Sequence, residues 1–410
     1  MTSSPSPVPS AAAPRPVRIG AFLPLGAVYG RGVLRGLARY YREQPHVQVL
    51  KFNDTTDFRL QRLRQLGLDG IIARVKGRRE EAMLAELDIP TINFSGQYAT
   101  HRIPTVTTDD RRLGQMAFRH FAQRGYRHFA FCGMAGHHAS RLRHEAFAAA
   151  VRERFPEAEV AARFVPEADR DAPFPEHVRR ELEAWILALP KPVALFTFTD
   201  RLALEADEVC RRAALEVPRT VALLGVGNDS TRIEFAHVPL SSIELPTEDN
   251  GYRAAELLER WRLHGERPPA ISLVAPRRLV ARRSSDHLAV PDDRVAVALD
   301  YIHEHLRNPI RVDEVARAAG ASRRTLEVAF RQHLHQSVYQ MVQNLKFEHA
   351  LELLGQRDIP IGEIASLVGF PEPKAFSRAF RERFGQSPSE YRRGGPQRGA
   401  LPQASAQFAN

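Results

Sequence analysis

Cysteine is nearly absent: Cys132 and Cys210 are the two thiols in 410 residues. Two thiols build no disulfide framework and fit a reducing compartment. No apolar run approaches the ~18–20 residues that a membrane helix needs, which excludes a helical span. Neither the Gly-x-Ser-x-Gly nucleophile elbow of serine hydrolases nor a Gly-rich phosphate loop ending in Lys-Ser/Thr is present, so no catalytic function is expected. Met1 to Pro16 is rich in Ser, Pro and Ala and lacks an apolar core segment. It reads as a disordered tail rather than a signal peptide, and the expected location is the cytoplasm. What the chain does have is positive charge, 58 Lys and Arg against 48 Asp and Glu. That excess permits a polyanionic partner without naming one.

The most informative feature is a pattern written twice. Residues 312–331 and 361–382 each hold a short apolar-periodic helix, a Gly (Gly320, Gly369) and a second helix. The buried positions of the second helices are four apart, Leu326 with Phe330 and Phe376 with Phe380, which leaves the opposite face free for polar contacts. One such unit is an ordinary αα-hairpin, but two in tandem with cationic second helices point to DNA reading. Residues 291–394 hold 15 basic and 14 acidic side chains, so the footprint is local clustering, not net charge. Arg323, Arg324 and Arg331 lie on the first reading helix, and Lys374, Arg378 and Arg381 on the second. Ser322 is expected to cap the first helix, Glu372 to cap the second, and Pro373 suits its first position. Between the units, Ser337 to Leu354 has the periodicity of one continuous helix.

These residues resemble the DNA-binding domain of the AraC/XylS family of bacterial transcription regulators. The similarity spans about 292–393 and is densest in Val368-Gly369-Phe370, Phe376-Ser377-Arg378-Ala379-Phe380 and Phe384-Gly385-Gln386-Ser387-Pro388. Lys374 stands where the family has a small polar residue, and Arg311 where it favours a Ser or Thr cap. The resemblance implies double-stranded operator DNA as partner. It assigns base contact to Arg324, Glu327 and Val328 in the first unit and to Lys374, Ser377 and Arg378 in the second. Ser322, Arg323, Arg331 and Arg381 complete the expected DNA-binding set.

From Val17 to about residue 285, short apolar runs alternate with helical patterns. Strands are expected at 18–23, 47–52, 70–75, 91–94, 128–133, 160–165, 193–199, 221–227 and 242–245. Helices are expected at 31–42, 112–124, 141–155, 175–188 and 201–213. Such alternation implies parallel sheets covered on both faces. The pattern restarts after Thr105, so the fold class is a two-lobed α/β domain followed by an all-α domain with two helix-turn-helix units. Ligands then bind outside the carboxyl ends of the strands, in the crevice between lobes. Residues 286–291 read as a linker and 394–410 as a second tail.

This segment resembles the periplasmic-binding-protein-like sensors of LacI-type regulators, through Tyr29-Gly30-Arg31-Gly32, Asp69-Gly70-Ile71-Ile72, Phe198-Thr199-Asp200-Arg201 and Leu224-Gly225-Val226-Gly227-Asn228-Asp229. The whole arrangement is similar to the XylR-like, xylose-responsive regulators. The resemblance implies a small effector, a pentose sugar such as xylose, bound by Arg31, Asp109, Arg143, Asp200, Asn228 and Asp229. Arg143 and Asp200 rank first. Asp109 could equally cap a helix, Arg143 lie at the surface, and Asp229 sit in a turn. Gly227 replaces an Asp ligand of many such sensors, and Ala146 a usual Gly. Cys132, His137, His138 and His144 are metal-ligand types close in sequence, yet their spacing matches no zinc pattern, and neither a metal nor a cofactor is expected. Some AraC-type proteins repair DNA through a reactive cysteine, but neither thiol here lies in such a cluster. The expectation is a sugar-responsive activator acting as a homodimer and contacting RNA polymerase, with a non-sugar effector or a repressor as the alternative.

Overall fold

The computed structural model describes residues 15–53, 60–167, 173–286, 292–334, 336–354 and 359–394. Most of the expected tails, and the linker from 287 to 291, lie outside the described residues. The chain divides near Asp286 into two compact units.

The first unit begins with β1 (Val17–Leu23), α1 (Val28–Tyr41), β2 (Val47–Asn53), α2 (Leu60–Gln65), β3 (Gly70–Ala73), α3 (Arg78–Ala85), β4 (Thr91–Asn93) and β5 (Thr105–Thr108). Then α4 (Asp110–Gln123) leads into β6 (His128–Met134), α5 (His138–Arg154), β7 (Val160–Val165), α6 (Glu176–Ala188) and β8 (Val193–Thr197). The second lobe continues with α7 (Asp200–Arg212), β9 (Val221–Val226), α8 (Ser230–Ile233) and β10 (Ser241–Ile243). The chain returns through α9 (Thr247–His264), and β11 (Ile271–Val274) and β12 (Leu279–Val280) close the two sheets. Strand orders are β11-β5-β4-β3-β1-β2 and β12-β10-β9-β8-β6-β7. Central strands such as β8 and β9 are buried along their whole length, as a strand covered on both faces must be. The outer β2 alternates, with Gln48, Lys51 and Asn53 exposed. In each sheet the order reverses beside the first strand, between β1 and β3 and between β6 and β8. Parallel sheets leave their ligand crevice outside the carboxyl ends at such reversals.

The expected strands are all present with small changes at their ends. Three were not foreseen. β5 is a short Thr-rich run, β11 is half exposed, and β12 has two residues and runs antiparallel to β10, so the second sheet is not wholly parallel. α9 also escaped, because Asn250-Gly251 in its first turn reads as a turn signal. The structure gives that glycine a packing reason. A Cβ at Gly251 would lie 2.1 Å from the Val33 carbonyl oxygen of α1, and one at Gly36 would lie 2.0 Å from that of Glu248. α1 and α9 therefore approach backbone to backbone. Around that contact Leu37, Ala254, Ala255 and Leu258 join the core over β1 and β4.

The second unit is helical among its described residues: α10 (Asp293–Glu304), α11 (Val312–Ala318), α12 (Arg323–Leu334), α13 (Val338–Leu354), α14 (Ile361–Leu367), α15 (Pro373–Phe384) and α16 (Pro388–Gly394). Its caps are largely those the sequence implies. The Thr325 N–H donates to Ser322 Oγ at 3.1 Å, and Ser337 and Gln340 cap α13 reciprocally. At Arg311 the Glu314 carboxylate accepts the backbone N–H at 3.1 Å, supplying part of what a Ser or Thr cap would. Glu372 departs from expectation: it is extended and makes no side-chain cap, while Pro373 opens α15 as foreseen. A carboxylate at this position is one methylene longer than the usual Asp cap. Two separate cores form. Leu326, Phe330, Val338 and Val342 belong to the first, and Phe347, Ile364, Phe376 and Phe380 to the second.

The close helix crossing generates a stability prediction. Gly36→Ala inserts a methyl against backbone that cannot swing aside, and it should cost about 1–3 kcal/mol or more. Urea unfolding of the two proteins at equal m-value measures it. An unchanged midpoint would mean that α1 and α9 separate freely.

Candidate functional site

At the carboxyl ends of β8, β9 and β10, Asp200 is almost fully buried at the first position of α7. Thr199 caps that helix by accepting the Leu202 N–H at 3.4 Å. Asp200 Oδ1 accepts from Ser242 Oγ at 2.5 Å, and Oδ2 accepts from the Asp229 N–H at 2.9 Å. Two glycines make room for the carboxylate. A Cβ on Gly225 would come within 2.3 Å of Oδ1, and one on Gly227 within 3.0 Å of Oδ2. The φ of +132° at Gly227 itself excludes most side chains. The departure from an Asp at 227 thus fits the way Asp200 fills the space. Burial pushes the Asp200 pKa up to about 6, against the pull of its two hydrogen bonds.

A second buried charge lies where α4 leaves the first lobe. Arg143 of α5 donates from Nε to Asp110 Oδ1 at 2.8 Å and from Nη1 to the Phe198 carbonyl at 2.6 Å, with its guanidinium 4.4 Å above the Phe198 ring. Both charged groups are about 95 % buried. Burial raises the Asp110 pKa although Arg143 pulls it the other way. Beside this pair the lobes touch. The His138 and Ala139 N–H groups, unpaired donors of the first turn of α5, donate to the Gln97 and Gly96 carbonyls of the loop after β4, each at 2.9 Å.

The remaining expected ligands are spread along the strand ends. Asn228, at φ +50°, accepts from Arg282 Nη2 at 2.8 Å through Oδ1. Asp229 precedes α8 and accepts from Thr231 Oγ1 at 2.6 Å. Asp109 accepts the Arg112 N–H at 3.1 Å, which is the helix-capping geometry. Arg31 is exposed and donates to the Leu25 and Gly26 carbonyls. The structure therefore brings Asp200, Asn228 and Asp229 together on one lobe, while Arg143 is buried, not a surface residue. Beyond Arg31 and Asp109, sequence reasoning missed two polar residues of the first lobe. Tyr29 donates to the Phe94 carbonyl at 2.8 Å, and Asn250 Nδ2 reaches Thr108 Oγ1 at 3.2 Å. Asn250 is fully buried, and its Oδ1 has no partner among the described residues. Asn250 lies in the first turn of α9, whose turn-like Asn-Gly pair gives the sequence no sign of a buried amide there.

On the helical unit, Arg324, Arg331, Lys374, Arg378 and Arg381 are exposed, Ser377 is half-buried, and Val328 stands 57 % exposed. Arg323 has only a solvated partner, Asp313 at 3.4 Å, as does Arg381 with Glu390 at 3.6 Å, and such pairs hold a side chain weakly. Arg324, Thr325, Val328 and Gln332 line a groove of about 300 Å³ together with Arg294. Glu327 differs from expectation. It is half-buried and accepts the Val338 N–H at 3.4 Å, so its carboxylate meets the positive end of α13 rather than pointing outward.

The metal-ligand types do not gather. Cys132 is buried within β6, His137 packs on Phe198, and His144 packs on Phe131 and Phe164. Burial pushes the Cys132 and Cys210 thiols up to about 12, where a thiolate nucleophile is scarce at neutral pH.

The Asp200 carboxyl yields a pH prediction. Its folded pKa is raised, so the folded state holds the proton more tightly, and this group's contribution falls as pH rises from about 4 to about 6. Asp200→Asn keeps the shape and removes the titration. Relative to wild type, the variant should gain up to about 2–3 kcal/mol between pH 4 and pH 7. Parallel denaturation curves across that range measure it, and a constant difference would show that Asp200 ionises without cost.

Three family descriptions match the chain: "XylR N-terminal domain" over residues 18–110, "Periplasmic binding protein-like domain" over 118–285 and "Helix-turn-helix domain" over 315–394. The xylose operon regulatory protein of Escherichia coli K12 is 28% identical over 383 residues, covering 92% of this chain and 96% of that protein. Its namesake in Haemophilus influenzae is 27% identical, covering 89% and 95%. A solved structure described as the xylose-binding transcription activator XylR aligns with TM-score 0.57 and 28% identity, over 92% of this chain and 98% of that one. A cellobiose complex of the regulator CelR shares the sensor fold at 20% identity and TM-score 0.54, over 67% of this chain and 86% of that one. The chain thus joins a periplasmic-binding-protein-like domain to a helix-turn-helix domain, and over about nine-tenths of its length it is similar to the xylose operon regulatory proteins.

Proposed function

We propose that this regulator binds operator DNA through α12 and α15 and that a small sugar, a pentose such as xylose, sets its affinity from the sensor cleft. The observation that carries the DNA half is the repeated presentation of cations on a helix whose other face is locked into a core. Arg324 and Val328 in the first unit, and Lys374, Ser377 and Arg378 in the second, are assigned to base edges, where the N-terminal part of a reading helix enters the major groove. Ser322, Arg323, Arg331 and Arg381 hold phosphates. Glu327 supports α13 and does not read. The 17 residues of α13 span roughly 26 Å, a length suited to placing two reading helices in successive major-groove turns ~34–36 Å apart.

The sugar half is supported by the relatives' names and by the chemistry of the strand ends. Each sugar hydroxyl both gives and accepts a hydrogen bond, so carboxylates, guanidinium and amides suit it. Arg31, Asp109, Arg143, Asp200, Asn228 and Asp229 are the proposed ligands, with Asn250 added from the first lobe. Most of them already bond within the protein. A sugar binds by exchanging those bonds, which couples occupancy to the placement of the lobes and through it to DNA affinity. The proposal includes activation of transcription in the cytoplasm by a homodimer that contacts RNA polymerase.

Two measurements test this. D-xylose, in a thermal-shift panel of aldoses and polyols, should raise the melting temperature, because it binds the folded state. A rise given only by non-sugars would replace the effector and leave the cleft. Arg381→Ala should weaken binding to a duplex selected by the wild type. It should also lower the salt slope by about one unit if one phosphate contact is lost. Full affinity in a fragment that ends at residue 290 would overturn the DNA assignment.

A further inference from the structure

Lysine is almost never buried without a carboxylate, yet Lys346 is 5 % exposed in the middle of α13. Its ammonium donates to the Gly369 carbonyl at 2.7 Å and to the Asn308 carbonyl at 3.2 Å, and lies 5.5 Å from the Phe370 ring centroid. The two carbonyls belong to different halves of the domain. Asn308 precedes α11 of the first helix-turn-helix unit, and Gly369 is the turn between α14 and α15 of the second. The halves meet here at close range. A Cβ on Gly369 would lie 2.6 Å from the Asn308 oxygen and 2.8 Å from the Lys346 nitrogen, and the φ of +68° also demands glycine.

Lys346 lies at the seam of the two cores. Along α13, Val338, Met341 and Val342 pack into the first core, while Phe347, Ala350 and Leu354 pack into the second. Apolar packing fixes each unit on its own stretch of α13, but it is non-directional and tolerates small rotations of one core against the other. Charge-assisted hydrogen bonds to two carbonyls are directional and stronger than neutral ones. Burial lowers the lysine pKa from its ordinary value, as is usual for an ammonium with no carboxylate beside it. The group is therefore held in place at a desolvation cost, and a methionine would fill the same space without that cost.

We propose that Lys346 is a positioning residue that locks the angle between the two helix-turn-helix units, and that this lock sets the spacing of the two half-boxes the protein accepts on DNA. The proposal rests on both units binding DNA. One base pair of extra spacing rotates the second box by ~35° and shifts it ~3.4 Å. A locked pair of units cannot follow that change, and an unlocked pair can.

The test uses the full chain and a two-box duplex selected from a random library by the wild type. Affinities are measured by fluorescence anisotropy for that duplex and for versions with one base pair inserted or removed between the boxes. The wild type should lose about tenfold or more at altered spacing. Lys346→Met should bind the selected duplex more weakly and discriminate spacing by less than about threefold, whereas Lys346→Arg should recover part of the preference. Spin labels at Gln332→Cys and Glu382→Cys, one on each reading helix, should show a broader distance distribution in the Met variant. If Lys346→Met does not fold, Lys346→Gln takes its place. A folded Met or Gln variant with wild-type spacing preference overturns the proposal. A wild type that selects no two-box duplex would instead overturn the DNA assignment on which it rests.

Discussion

Charge buried in a protein must be answered by a neighbour, because an unanswered ion costs several kcal/mol. The organisation of this sensor follows from how that demand is met. Asp200 is answered by Ser242 and the Asp229 amide, and Arg143 by Asp110 and the Phe198 carbonyl. These partners come from the ends of different strands, so each bond ties together loops that the sheet alone leaves independent. The glycines at 225 and 227 leave space that the Asp200 carboxylate fills. Under the proposed function, an effector entering the crevice competes with bonds already made and gains affinity only by the difference, so that difference is what can shift the lobes.

The same logic divides the DNA-binding unit. Its two cores are apolar and self-sufficient, and each presents one reading helix by burying the opposite face. Where they meet, the chain places an ammonium between two carbonyls. Apolar burial thus supplies stability, while a buried polar contact supplies geometry. That division suits the fixed spacing proposed above for the two reading helices.

Much of this was legible in the sequence. Phe376 and Phe380, four apart behind Gly369, imply a helix with one buried face, and both side chains are fully buried. The apolar runs of β8 and β9 imply central strands for the same reason. What escaped depended on tertiary contact. Asn250-Gly251 has the local chemistry of a turn, and only the backbone of α1 explains why it is helical. Lys346 reads as one more surface cation among the Gln, Asn and Glu residues of its helix until the two carbonyls are seen. Glu327 has the composition of a base reader, but the start of α13 lies within reach of its carboxylate. Asp110 went unremarked beside Asp109, since which of two adjacent acids turns inward depends on where Arg143 lies.

Coupling between crevice and DNA is reciprocal if it exists at all: the factor by which a sugar changes operator affinity must equal the factor by which operator changes sugar affinity. Isothermal titration of D-xylose into the full chain, alone and with a saturating duplex selected by the protein, measures this most directly. The predicted result is a dissociation constant that differs between the two titrations, by the same factor that xylose imposes on duplex binding. No xylose binding, or one dissociation constant with and without duplex, would contradict it.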